Sequence, residues 1–350
     1  MLTLCTIPQT FEALTLAFVA YGLFNMPFSL CFALAYAIAC ISPSVMIPGL
    51  ISLMERGYGH EKGINAALIA AGTFDDILCI IFFQICKAVA FSDYNMLSGQ
   101  PMSQAVGMVF LENAVGLVVG LVMGVIGLVF NKVPHPTLQM HMKMWYCIGL
   151  AIAYINLGTT YSSFSDTKYI ASLTTGYVCS RVWGDAKPTK ELGYFWWFIQ
   201  PLFFGCVGAA LVFKQLTGQT IGYAIVCILC GIIVRIATVV IMTSIPGDRF
   251  TSKERAFTAF AWLPKATVQA AQASVILVAA TSAKNDQMIE YGIIIQTTAI
   301  FSIVICAPIG AVLIQTFGPK YLQLRALPTS SDKKAEEDLH SQPNLALNTQ

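Results

Sequence analysis

Long apolar segments, separated by short polar ones, occupy most of the chain. A membrane-spanning helix needs about 20 consecutive and mainly apolar residues, and about ten segments meet that description. We predict spans at 3–24, 28–55, 64–91, 104–130, 144–163, 166–182, 193–214, 219–244, 256–281 and 288–316. The composition becomes charged and polar after residue 316, so 317–350 is predicted to be a disordered cytoplasmic tail. The pattern therefore predicts an all-α, polytopic membrane protein.

The third predicted span carries two adjacent carboxylates, Asp75 and Asp76, near its middle. An Asp at the bilayer centre costs about 2.5–3.5 kcal/mol on the insertion scale, so such residues usually serve a function. Successive helix residues point roughly 100° apart, and both acids can therefore border one cavity without facing lipid. This favours a site that holds either a proton or a metal ion. The alternative is that the pair caps a half-helix at the membrane surface.

Two of the predicted spans contain prolines that break the helix. The second span contains Ser42-Pro43 and the ninth contains Pro264-Lys265. Proline removes a helical N–H and clashes with the preceding turn. Paired, interrupted spans at corresponding positions indicate the binding site of a transporter, whereas two ordinary proline kinks are the simpler alternative.

The two breaks define a register between the halves of the chain. Pro43 and Pro264 lie 221 positions apart (264 − 43). The same offset places Glu12 at 233, two positions before Arg235, and places Asp75 at 296 in the tenth span. Spans one to three thus correspond to spans eight to ten, in the opposite membrane direction, which predicts an inverted repeat. The predicted units are 1–92 (first core triplet), 104–214 (connecting panel spans) and 219–316 (second core triplet).

We interpret three further charged residues as lying within the membrane. Unpaired charges in a membrane are costly, so pairs are expected. Glu12 and Arg235 occupy matching repeat positions and are predicted to pair. Lys265 lies in the ninth-span break, where it can offset exposed carbonyl groups. A snorkelling lysine is the alternative interpretation.

Composition and charge narrow the class of protein. Hydrophobic residues make up 56% of the 350 residues and charged residues 11%, whereas soluble domains carry about 25% charged residues. No basic patch with interleaved aromatic residues indicates nucleic-acid binding. Of the 20 Lys and Arg residues, 14 fall in loops or the tail on the amino-terminal side, which predicts that both termini are cytoplasmic. The opposite side holds Lys87, Lys168, Lys214 and Lys284.

The cysteines and histidines suggest no metal enzyme. Most of the 11 cysteines lie within apolar segments and are interpreted as small buried hydrophobic residues. Cys227 and Cys230 form a C-x-x-C, but inside a continuous apolar span. An intramembrane aspartyl protease would need its two carboxylates on different helices, so the adjacent acids argue against an enzyme.

Four segments in this order, 42–43, 59–63, 71–77 and 262–267, resemble the NhaA-type sodium/proton antiporters of the second cation:proton antiporter branch. They look most like the animal members, the sodium/hydrogen exchanger-like domain-containing proteins. The resemblance covers about residues 1–320. It implies two broken helices that cross near the bilayer midplane.

The resemblance also implies roles for individual residues. Asp76 would be the main cation ligand and proton carrier, with Asp75 beside it, so that both bind the transported Na⁺ or Li⁺. Glu12 and Arg235 would form the core ion pair. The crossing would consist of Ser42, Pro43, Pro264, Lys265 and Thr267. Because Arg235 does not readily release a proton, one proton per sodium ion is expected.

The expected function is sodium(lithium)/proton antiport by alternating access, with control of intracellular pH and sodium and with no cofactor. The expected partners are Na⁺, H⁺ and the lipid bilayer, with a second copy in a homodimer as a further candidate. The plasma membrane is the expected location, and an organellar membrane is the alternative. Full-length members of the family have further spans before the position of Glu12, so the chain is expected to be a shortened isoform or a partial sequence. A cation channel or a non-transporting regulatory subunit is the alternative function.

Overall fold

The computed structural model describes residues 2–94, 96, 100–161, 164–209, 218–245 and 249–324. Apart from one isolated bridge between Tyr58 and Leu324, these residues form helices and their connections. A short 3₁₀ helix covers Gly127–Lys132. The α-helices are α1 (Leu2–Phe24), α2 (Phe28–Ala39), α3 (Pro43–Glu55), α4 (Ile64–Asp93), α5 (Met102–Ile126), α6 (Pro136–Thr160), α7 (Thr167–Trp183), α8 (Thr189–Ala209), α9 (Gly218–Ser244), α10 (Ser252–Ala261), α11 (Thr267–Ala273), α12 (Val275–Ala283) and α13 (Asp286–Tyr321).

Within the described residues, seven helical segments are long and apolar enough to cross a membrane. They are Thr3–Phe24, Phe28–Glu55, Ile64–Asp93, Met102–Lys132, Thr189–Ala209, Gly218–Ser244 and Asp286–Tyr321. Each coincides with a predicted span, and the prediction of an all-α polytopic membrane protein is confirmed. The remaining three predicted spans correspond to α6, α7 and α10–α12. These segments are helical, but they do not meet the combined criteria of length and apolarity for a membrane span.

The two predicted core triplets have matching internal contacts. In the first, α1 packs on α2 and α4, and α2 and α3 pack on α4. In the second, α9 packs on α10 and α13, and α10, α11 and α12 pack on α13. Helices α1 and α9 contact each other at the centre. Both predicted broken spans are interrupted: the second is divided into α2 and α3, and the ninth into α10, α11 and α12. The repeat proposed from the 221-residue register is therefore consistent with the observed packing.

The panel helices α5 and α7 approach each other closely along a line of glycines. A Cβ atom at Gly120 would lie 2.6 Å from the Thr174 Cβ atom, and one at Gly124 would lie 2.5 Å from the Val178 Cβ atom. Small residues at this spacing allow close backbone contact in a membrane. Thr174 and Thr175, which are polar residues of the sixth predicted span, thus belong to this interface.

Two predicted boundaries are wrong. The last helix continues to Tyr321, so the tail does not begin at 317, because Phe317 and Tyr321 pack on Phe260 with ring centroids 5.3 and 6.4 Å apart. Residues 325–350 of the predicted tail lie outside the described residues. The fifth span begins at Pro136 rather than 144. Lys143, which the charge count placed in a loop, is therefore buried inside α6 and donates to the Ala186 carbonyl.

The α5–α7 contact generates a stability prediction. Gly120→Val should lower the thermal unfolding midpoint, since overpacking a close contact costs about 1–3 kcal/mol. Gly107→Val is the matched control in the same helix, because a Cβ atom there meets nothing within 4 Å. Equal midpoints for the two variants in detergent would show that this contact does not limit stability.

Candidate functional site

The break between α2 and α3 leaves carbonyl groups without helical donors. Pro43 is the first residue of α3 and has no N–H, so the carbonyl group of Ala39, four residues earlier, has no partner in a continued helix. The backbone N–H of Ser42 donates outside its own helix, and Ile38 therefore loses its helical donor as well. The backbone here must be satisfied by other groups, since water is scarce at membrane depth.

Side chains from the second half of the chain supply those donors. The bonds run from Lys265 Nζ to the Ile38 oxygen at 2.7 Å, from Arg235 Nη1 to the Ala39 oxygen, and from Gln269 Nε2 to the Cys40 oxygen. All three donor residues are fully buried. The unpaired carbonyl groups at the end of α2 are therefore satisfied by two cationic side chains, Lys265 and Arg235, and by the Gln269 amide.

The two breaks meet at a direct backbone contact. The Ser42 N–H donates to the Pro264 carbonyl oxygen at 2.8 Å. Beside it, the Ser42 and Ser44 hydroxyl oxygens are 2.9 Å apart, and Ser44 Oγ lies 3.4 Å from Thr267 Oγ1. The structure thus brings together the residues that the sequence analysis assigned to the crossing.

Four of the five intramembrane charges form one buried network. Arg235 pairs with Glu12 through Nη1 and with Asp75 through Nη2, the latter at 3.1 Å. Lys265 Nζ lies 2.8 Å from Glu12 Oε1 as an ion pair, while its hydrogen bond goes to the backbone. The expected pair of Glu12 and Arg235 is therefore part of a larger arrangement, in which Glu12 lies between two cations.

Asp76 differs from its neighbour Asp75. Asp75 is fully buried, pairs with Arg235 and also accepts the Ile41 backbone N–H at 3.1 Å. Asp76 is 6% exposed and accepts the Cys40 thiol at 2.7 Å. No ion pair of Asp76 with a Lys or Arg side chain occurs among the described residues. Asp76, the more exposed of the two carboxylates, is thus the one without a cationic partner.

Counting formal charges shows what this arrangement can hold. Three carboxylates (Glu12, Asp75 and Asp76) and two cations (Arg235 and Lys265) sum to −1. A buried net charge is costly in low dielectric, so one monovalent cation or one proton balances the cluster. Because Asp76 has no ion pair among the described residues, we assign the excess negative charge to it.

Three residues of the site were missed in the sequence analysis. Cys40 contacts Asp76, Gln269 closes the α2 end, and Cys79 lies near Cys40. For Cys79 a signal was present, because it follows Asp75 by four residues in α4 and so shares a helix face with it. Interpreting every cysteine as a packing residue was therefore incomplete.

A second polar cluster joins α4 to the panel. Lys87, which the charge count placed at the outer side, is inside α4 and forms an ion pair with Asp166. The Asp166 backbone N–H donates to Glu112 Oε2 at 2.9 Å. Glu112 was not counted among the intramembrane charges. This cluster is separate from the crossing and contributes to the joint between core and panel.

Comparisons with known proteins identify similar sequences. Residues 1–317 match the family model described as sodium/hydrogen exchanger, transmembrane. Similar proteins include sodium/hydrogen exchanger 9B2 of Mus musculus, 33% identical over 341 residues (96% of this chain, 60% of the relative), and that of Homo sapiens, 34% over 322 (90% and 57%). Sodium/hydrogen exchanger 9B1 of Homo sapiens is 30% identical over 319 residues (90% and 59%). The chain spans about 60% of the length of these relatives.

The network predicts an order of stabilities. Glu12→Gln should be strongly destabilising, because it strands Lys265 as a buried charge, and breaking a buried pair costs about 3–5 kcal/mol. Adding Lys265→Met should recover much of that loss. Adding Arg235→Met instead should not, since Lys265 remains unpaired and Asp75 loses its cation.

Thermal unfolding midpoints of the three variants in detergent test this order. Equal recovery by both double variants would mean that Lys265 and Arg235 are interchangeable partners of Glu12, contrary to the geometry. Simply additive effects would mean that the residues do not interact.

Proposed function

The chain belongs to the sodium/hydrogen exchanger family, and on that premise we propose that it exchanges Na⁺ or Li⁺ for H⁺ at Asp76, with Asp75 as the supporting carboxylate. The family is one of membrane transporters, so cation/proton exchange is the activity expected for an integral membrane protein of this kind. The identity of the exchanged ions (Na⁺ or Li⁺ against H⁺) and the control of intracellular pH and sodium by that exchange belong to the proposal.

One observation carries the proposal. Asp76 is the carboxylate of the cluster that lacks a cationic partner among the described residues, and it holds the excess charge of −1. A proton on Asp76 removes the charge that attracts Na⁺, and bound Na⁺ disfavours protonation. Each ion therefore displaces the other from a single site, and one proton exchanges for one sodium ion.

Arg235 and Lys265 are held by other groups, and this restricts the competition between Na⁺ and H⁺ to Asp76. Arg235 does not readily release a proton at physiological pH, and both it and Lys265 already donate to carbonyl oxygens of α2. The carbonyl oxygens of Ile38 and Ala39 thus each already accept a side-chain hydrogen bond. We infer that carboxylate and hydroxyl oxygens near the crossing supply most of the oxygen ligands that Na⁺ prefers.

A cavity provides a route toward the crossing. It has a volume of about 800 Å³ and lies between α3, α8 and α13. Ser44 lines it and also contacts Thr267 at the crossing. Helix α8, on the panel side, has no buried residue. A loosely packed helix beside the core supports alternating access by movement of one against the other.

The remaining expectations extend the proposal. We place the chain in the plasma membrane with both termini cytoplasmic, on the positive-inside distribution of Lys and Arg. Homodimer formation stays a prediction. An organellar membrane is the alternative location, and a channel or a non-transporting subunit is the alternative function.

The test uses three matched Asp→Asn variants of α4 in reconstituted vesicles. Sodium-driven proton movement should be lost in Asp76→Asn, because Asn keeps the size but not the titratable charge. Asp75→Asn should weaken exchange, since it also removes a partner of Arg235. Asp93→Asn, at the exposed end of the helix, should exchange like wild type.

Wild-type exchange in Asp76→Asn would contradict the proposed site. Sodium flux that does not saturate and moves no protons would identify a channel. Absence of sodium and proton movement in the wild-type chain would favour a non-transporting subunit.

A further inference from the structure

Two cysteine thiols lie against the carboxylates of the ion site. Cys40 is the residue that follows α2 at the break, and Cys79 lies one helical turn after Asp75 and Asp76 on α4. One ligand atom from each of Cys40, Asp75 and Cys79 lies within 4.8 Å of the others, and all three residues are buried. Among the described residues, no other set of three His, Cys, Asp or Glu side chains meets that condition. The sulfur atoms therefore share a compact space with the acids.

Asp76 lies beside this three-atom group and is the candidate for a fourth donor. Its Oδ1 accepts the Cys40 thiol at 2.7 Å. Two sulfur and two oxygen donors are a suitable set for a tetrahedral Zn²⁺ site, with metal–sulfur distances of about 2.3 Å and metal–oxygen distances of about 2.0–2.2 Å. Such a site would bring donor atoms to about 3.4–3.8 Å from one another. The grouped atoms of Cys40, Asp75 and Cys79 would close by about 1 Å on binding, and the Asp76 carboxylate would join them by a side-chain movement.

The chemistry of the donors distinguishes them from a plain sodium site. Hard oxygen ligands suit Na⁺, whereas thiolates select softer metals. Binding is a ligand exchange: the metal–sulfur bond replaces the thiol S–H bond and the proton is released. Both thiols lose a proton, so one divalent ion with two thiolates brings the cluster to −1 − 2 + 2 = −1, which is its charge before binding, and no oxidant or reductant is needed.

We propose that Cys40, Cys79, Asp75 and Asp76 form a binding site for a soft divalent metal ion, Zn²⁺ or Cd²⁺, which competes with the exchanged ions. The competition rests on the proposed function, because it requires Na⁺ to use Asp76. The binding of the metal does not require transport. A chain with these thiols is thus expected to be inhibited by ions that an oxygen-only site would bind weakly.

The direct test is a Cd²⁺ titration of the purified full-length chain in detergent, followed through the ultraviolet thiolate-to-metal charge-transfer band. Wild type should show a saturable band for one Cd²⁺ per chain that is lost in the Cys40→Ser, Cys79→Ser variant. The matched control is Cys147→Ser, Cys179→Ser, which removes another pair of hydrogen-bonded thiols, between α6 and α7. That control should keep the band.

Two further measurements keep the test decisive if the Cys40→Ser, Cys79→Ser variant misfolds. Cys79→Ala leaves the Cys40–Asp76 contact in place and should weaken Cd²⁺ binding without complete loss of fold, as judged by thermal unfolding. Excess Na⁺ should shift the wild-type Cd²⁺ titration to higher concentration. A band that survives in Cys40→Ser, Cys79→Ser, or that disappears in the control, would overturn the inference, as would Cd²⁺ binding unaffected by Na⁺.

Exchange measurements separate this inference from the proposed function. In vesicles, Cd²⁺ should inhibit wild type more strongly than Cys40→Ser, Cys79→Ser, each compared with its own rate without Cd²⁺. Exchange that is equally sensitive in both would refute the metal site and leave the function intact. A one-to-one Cd²⁺ band without any exchange in wild type would refute the function and leave metal binding intact.

Discussion

A polar group buried in a membrane without a partner costs several kcal/mol, and the break before Pro43 exposes three consecutive backbone carbonyl groups to that penalty. The rest of the core is arranged to satisfy them. Lys265 and Gln269 come from the second broken span, and Arg235 comes from α9. The two halves of the chain are thereby held together at the point where both are unwound.

Bringing two cations to these carbonyls creates a second requirement, because the cations must themselves be neutralised. Glu12 contacts both, and Asp75 contacts Arg235. The charges of Arg235 and Lys265 are consequently neutralised by residues of the core. Asp76 is the remaining carboxylate, and its charge is the one left for a mobile ion. On the proposed function, structural support and ion binding fall to adjacent residues of one helix, which would explain why the acids occur as a pair.

Much of this arrangement could be predicted from the sequence. The prolines marked both breaks, their spacing related Glu12 to Arg235, and the apolar segments located the helices. What could not be predicted was connectivity within the site, because the sequence does not show which side chain reaches which carbonyl. Lys265 was expected to offset the helix end, but its contact with Glu12 depends on how the two breaks cross. Cys40 and Gln269 were missed because neither residue type is unusual in an apolar helix. The boundary of the last helix depended on aromatic packing between segments distant in sequence.

The central claim is that the cluster carries one negative charge, which either one sodium ion or one proton balances. Both loaded forms would then be neutral, and the movement that exposes the site to the other side would carry no net charge. The most direct measurement is the rate of sodium-driven proton movement in vesicles at several imposed membrane potentials. We expect the rate to be the same at zero, inside-negative and inside-positive potential. A rate that changes steeply and in opposite directions with the sign of the potential would show that a second charge moves, and would contradict this account of the site.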